Sequence, residues 1–291
     1  MILVVLLPIV VGVVLTMMSG RRGDRPIGVV DRRPDPPGGG PSGRDLWRLL
    51  VQLGLVEGRR LVRHPVFLAG VALSVYLLAL AGFRQMVPST RSQVLAGMGL
   101  IPIAGGTLLA VNLGAVRDRR SGTEELYASM PAVPSARTLA HLLSAAAGVL
   151  AGCLLLVAAD VLTVTIGGPI SGWKAGPVDL LQAPLVIAAA GAVGVLFARW
   201  IATPAGILFG PILIVVLAVG SPLGPRALPF FPVPPGHAVG WHVLFIASFT
   251  MLAVAVALLR HLRRLPVEAL ACGALAGTVT AVLLQGGMGG A

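Results

Sequence analysis

Long apolar stretches alternate with short polar ones along this chain. Charge is almost absent from eight stretches, about 1–19, 65–83, 97–116, 138–166, 180–198, 203–220, 241–259 and 267–286. Each is near the ~20 residues that carry a helix across a bilayer core. Together they hold 163 residues and two formal charges, Asp160 and Glu268; the other 128 residues hold 31. An apolar solvent imposes such a partition, because an ionised group at the bilayer centre costs at least ~2.5–3.5 kcal/mol. Backbone polar groups in lipid must bond within their own segment, so each stretch is expected to be a helix. The period-two alternation of a membrane barrel is absent. The pattern predicts an all-α, polytopic membrane protein with about eight spanning helices.

Between the first two stretches the pattern changes twice. Residues 20–43 are half glycine and proline, 12 of 24, and cannot build a core. They read as a cytoplasmic linker behind an N-terminal anchor, 1–19. Residues 44–64 have helical periodicity instead. At 100° per residue Asp45, Arg48, Gln52, Arg59 and Arg63 fall within an arc of about 60°, with apolar residues over most of the remainder. This predicts an amphipathic helix on the membrane surface, with Trp47 at headgroup level and Arg48, Arg59, Arg60 and Arg63 turned toward anionic lipid. Pro65 then redirects the chain; the competing possibility is that 44–64 merely lengthens the spanning helix. The loop 117–137 holds a third pattern. Ser121 and Thr123 can cap a short helix whose first turn carries Glu124 and Glu125, and Pro131 ends it. Leu126, Tyr127 and Met130 give it apolar knobs that a solvated turn would not need.

Composition agrees with this picture. The 291 residues are 11% charged, and mean hydropathy is +0.91; soluble domains carry about 25% charge. A soluble enzyme or a disordered binder is therefore excluded. The net charge of +11 comes from 22 basic and 11 acidic residues. With 20–64 in the cytoplasm and the sides alternating, 18 basic residues fall in inner loops and 4 in outer ones. That asymmetry is the positive-inside pattern. It explains the basicity without a nucleic-acid partner.

Few residues offer chemistry. Cys153 and Cys272 lie in apolar stretches, and no Cys/His cluster suggests a metal site. No G-x-x-x-x-G-K-[ST] phosphate loop, H-E-x-x-H or G-x-S-x-G is present. Asp160 is the one acid well inside a stretch. It can serve a cationic substrate or a proton, or it can be a hydrogen-bonded packing residue near the interface. His141 and His242 sit near helix ends and suit packing. Gly148/Gly152, Gly206/Gly210 and Gly273/Gly277 match G-x-x-x-G, but 38 glycines produce such pairs by chance. They indicate close helix packing in general.

One string carries more. Asp118-Arg119-Arg120-Ser121-Gly122-Thr123-Glu124-Glu125-Leu126, followed by Pro131-Ala132-Val133, resembles the cytoplasmic segment of type-2 ATP-binding cassette (ABC) transporter permeases. The run from Glu57 to Gly70 is similar to the lead into their first membrane helix, and Gly236 to Phe245 to the lead into their last. The resemblance covers about 44–264, six stretches. Ala132 interrupts the family's Pro-Val, and the stretches 1–19 and 267–286 (within 265–291) are additional. The resemblance implies a plasma-membrane permease without its own ATPase site, working as a homo- or heterodimer, with export as the expected direction. A separate ATPase subunit would hold ATP and magnesium and dock on Gly122, Thr123, Glu124, Glu125, Leu126, Tyr127 and Pro131. The surface helix 44–64 would be the family's connecting helix. An ion-coupled secondary transporter and a non-transporting membrane scaffold remain the alternatives at this point.

Overall fold

The computed structural model describes residues 43–82, 98–120, 134–162, 165, 177–201, 239–262 and 265–287. The described residues form seven α-helices. They are α1 (Gly43–Val62), α2 (Pro65–Gly82), α3 (Ile101–Arg120, entered through a 3-10 turn Met98–Leu100), α4 (Pro134–Leu162), α5 (Pro177–Trp200), α6 (Val239–Leu259) and α7 (Leu265–Gly287). The chain divides into two compact units, Met1–Leu53 and Gly54–Ala291. In the first, the described residues are the opening half of α1. The helices α4, α5, α6 and α7 are long and apolar enough to cross a membrane, and α1 with α2 qualifies as one broken span. The architecture is all-α and fits a helical membrane protein. The expected stretches 1–19 and 203–220, and the linker 20–42, lie outside the described residues.

Proline writes several of the boundaries. Pro65, Pro134 and Pro177 each occupy the first position of a helix, where a missing N–H costs nothing and a fixed φ is already helical. At the α1–α2 joint, Arg63 N–H donates to the Arg59 carbonyl at 3.3 Å and His64 N–H to Leu61 at 2.9 Å. Pro65 cannot donate the next bond, and the axis turns by 63°. Residues 44–64 therefore do not simply prolong the next helix.

Neighbour contacts fix the direction of each helix in the second unit. Ser74 of α2 accepts from the Ile103 N–H at 3.2 Å, and Gly70 faces Pro102 and Gly106 of α3, so α2 and α3 are antiparallel. Gly148 of α4 lies against Thr107 of α3 and Gly152 near Leu100, again antiparallel. Ala145 touches Gly191 of α5, and Ile187 touches Gly148 and Gly152, so α4 and α5 are antiparallel too. Helices α5 and α6 pack along each other, and Trp200 Nε1–H donates to the Val256 carbonyl at 3.0 Å. Their C-terminal ends meet, so they run parallel.

The core lies where α3, α4 and α5 meet, around Ile103, Thr107, Ala145 and Ile187, all buried. Small residues let the axes approach closely. A Cβ at Gly70 would stand 2.5 Å from the Pro102 carbonyl oxygen, while Gly106 presses on the backbone of Val66 and Phe67. Three hydroxyls inside the helices are satisfied locally. Thr107, Thr250 and Thr278 each donate to the carbonyl four residues back at 2.7 Å, which removes most of the penalty of leaving water. The last helix differs. Among the described helices α7 packs along α6, with Gly277 against Ser248, and its Val267, Ala274 and Ala281 form a seven-residue repeat of buried positions.

Candidate functional site

The helix directions bring the basic residues together. Arg117, Arg119 and Arg120 close α3, Arg199 closes α5, Arg260 follows α6, and Arg137 lies in the first turn of α4. All four positions belong to one end of the second unit. At the other end the described charged residues are acids, Asp160 near the end of α4 and Asp179 in the first turn of α5. Among the described residues the basic ones thus gather at one end; Arg84, Arg91, Lys174 and Arg226, expected on the other side, lie outside the described residues.

The residues expected to dock an ATPase, Gly122, Thr123, Glu124, Glu125, Leu126, Tyr127 and Pro131, lie outside the described residues. Their anchorage is described. The segment joins Arg120, the last residue of α3, to Pro134, the first of α4, across the tip of an antiparallel pair at the basic end.

Beneath that tip runs a seam of buried polar side chains. Asn112 of α3 donates through Nδ2–H to the Gly194 carbonyl of α5 at 3.0 Å. Ser144 donates to the His141 carbonyl at 2.7 Å, and Thr138, His141 and Ser144 are all buried on α4. Arg199 is also buried and has a polar partner. Counting ~1.5 Å per residue from the Thr107–Gly148 contact, Asn112 and His141 lie within about 3 Å of the same height. Such a buried amide ties two helices together by pairing with a carbonyl that water does not reach. Asn112→Ala is expected to lower stability by about 1 kcal/mol. Asn112→Asp is expected to cost more, because it loses the donor and buries a charge. Thermal unfolding in detergent measures both.

The residues of α1 divide by face. Leu50, Gly54, Gly58 and Leu61 are buried along one stripe. Arg48, Arg59 and Arg63 are exposed on the opposite one, and Trp47 is half-buried. Arg60 is exposed and pairs with Glu57 at 2.7 Å. The packed stripe crosses α4 well inside its length. A Cβ at Gly54 would meet Leu143 at 2.9 Å, and one at Gly58 would meet Ala147 at 3.7 Å. The second half of α1 is thus level with the middle of α4, not with its start.

Asp160 is exposed, two residues before the end of α4, beside a face bearing exposed Leu150, Leu154, Val157 and Val161. Asp160→Asn is expected to leave thermal stability unchanged within about 0.5 kcal/mol, as for other exposed positions. His141 and His242 are both buried and both have partners. Among the described residues no three His, Cys, Asp or Glu side chains are grouped to hold a metal ion.

Asn112 and the pair Gly54/Gly58 are the residues that sequence reasoning passed over. A lone amide within an apolar stretch was the available signal for the first, and four-residue glycine spacing within an amphipathic segment for the second. No protein-family model, no curated protein and no solved structure matches the chain.

Proposed function

We propose that this chain is the membrane subunit of an ABC transporter of the type-2 exporter class. It crosses the plasma membrane in eight spans with its basic end in the cytoplasm. A separate ATPase docks on Gly122–Pro131 and supplies ATP and magnesium chemistry that this chain lacks the residues to perform. The permease works as a dimer and moves its substrate outward. Closure of the ATPase on nucleotide biases the membrane helices between two arrangements, which is how binding energy becomes transport.

One observation carries the reading. The Gly-Thr-Glu-Glu-Leu string resembles the family's docking segment, and it bridges α3 and α4 at the end where arginines gather. A short acidic and apolar segment among basic helix ends suits an engine protein that must be held from the cytoplasm. A protein coupled to an ion gradient would instead be expected to pair ionisable groups near the midplane. Asp160 stands exposed near a helix end, which suits that role less well.

Isolation of the full chain from its native membrane in mild detergent tests the proposal. A stoichiometric ATPase in the purified material is the expected result. Thr123→Cys should react with an impermeant maleimide from the cytoplasmic side. Reaction from the outer side alone, or no co-purifying ATPase, would sink the reading.

A further inference from the structure

Among the described residues, the arginines of α1, α3 and α4 occupy two heights. The lower tier is Arg117 and Arg137, at the basic ends of α3 and α4. The upper tier is Arg59 and Arg63 on α1. Gly58 meets α4 at Ala147, ten residues beyond Arg137, which is about 15 Å along the helix axis.

Three observations converge on the upper tier. Arg59 and Arg63 are exposed, lie one turn apart, and point away from the Gly54/Gly58 stripe that packs on α4. Exposed Leu55 and Val62 flank them on one side and exposed Val56 on the other. Among the described residues Glu57 pairs with Arg60, and no carboxylate pairs with Arg59 or Arg63. Next, the exposed large apolar residues of α4 run from Leu143 to Val161, and the described side chains before Leu143 contribute none. Last, the lengths agree. From Leu143 to the end of α4 is 20 residues, about 30 Å, and α2 above the elbow is 18 residues, about 27 Å. Both match a hydrocarbon core of ~30 Å.

We infer that Arg59 and Arg63 reach back along α1 to hold the phosphates of anionic phospholipid, so that the hydrocarbon begins between the levels of Leu143 and Ala147, and that the last nine residues of α3 and the first nine of α4 stand beyond it as a stalk. Guanidinium groups bind phosphate through paired N–H donors. Leucine and valine on either side take the upper acyl carbons, as on other interfacial helices. The stalk, Asn112–Arg120 with Pro134–Leu142, then holds the buried Asn112, Thr138 and His141 outside the hydrocarbon. It carries the ends of α3 and α4, Arg120 and Pro134, about 13 Å from the membrane surface. This inference needs a membrane but no ATPase, so it can fail while the transporter reading stands, and the reverse.

Two glycines of α3 give the test. Nothing lies within 4 Å of a Cβ at Gly105 or Gly114, so both accept a spin label. In the full chain, with Cys153 and Cys272 replaced by alanine, single Gly114→Cys and Gly105→Cys variants are labelled in phosphatidylcholine–phosphatidylglycerol nanodiscs. The Gly114 label should relax more with a water-soluble nickel chelate than with oxygen, and the Gly105 label the reverse. Oxygen dominating at Gly114 would put the boundary near Arg117 and overturn the stalk. In detergent, phosphatidylglycerol should raise the melting temperature more than phosphatidylcholine does, and Arg59→Gln with Arg63→Gln should remove that difference. Equal rises with both lipids, a rise reproduced by inorganic phosphate, or an undiminished difference in the double variant would overturn the lipid site.

Discussion

Glu125→Arg combined with Leu126→Asp is expected to leave the chain inserted and folded while stripping it of its ATPase. The two changes reverse a charge and remove an apolar anchor within the segment proposed to dock. Truncating a central interface anchor typically costs 2 kcal/mol or more, and a reversed charge adds repulsion. A combined loss of roughly 4 kcal/mol weakens binding about a thousandfold, enough to empty the complex at ordinary concentrations. The ratio of ATPase to permease after affinity purification reads the effect, and an unchanged melting temperature shows the permease itself is intact. A parental ratio would remove the docking claim.

The second large effect is expected inside the bundle. Gly70→Ala should destabilise the protein strongly, whereas Gly105→Ala should not. The added methyl at Gly70 would stand 2.5 Å from the Pro102 carbonyl oxygen, with the Gly106 Cα at 3.3 Å. Those are backbone atoms and cannot rotate away, so α2 and α3 must separate. Overpacking of this kind costs typically 1–3 kcal/mol, and a backbone obstacle places Gly70→Ala at roughly 3 kcal/mol. Gly105, on the same helix as Gly106, faces open space. Its alanine loses no packing and gains helix propensity. Melting curves of the two variants in one detergent make the comparison. Equal melting temperatures would mean that the α2–α3 crossing is looser than this geometry.

Six of the eight expected stretches coincide with helices, because the information that sets them is one-dimensional. A run of apolar residues interrupted by arginine and proline reads directly, and Pro65 marked the elbow for the same reason. Height did not read. Hydropathy orders segments along the chain but does not say which turn of one helix meets which turn of another. The expectation that 44–64 lies at the membrane surface therefore carried no information that Gly58 meets Ala147. Glycine spacing failed differently. Gly148 and Gly152 do sit in a close contact, with Thr107 and Ile187, yet Gly273 of the similar pair Gly273/Gly277 faces nothing within 4 Å. The motif states that approach is permitted, and only the partner's side chains decide whether it is used. Asn112 escaped because its role depends on Gly194, 82 residues away.

The placement of α7 bears on how the protein is made. It packs along α6, and no other described helix shares more than isolated contacts with it. Helices α2 to α6 can therefore settle against one another before α7 leaves the ribosome. Helix α7 is a later addition to them, and its loss would leave the associations among the earlier described helices in place.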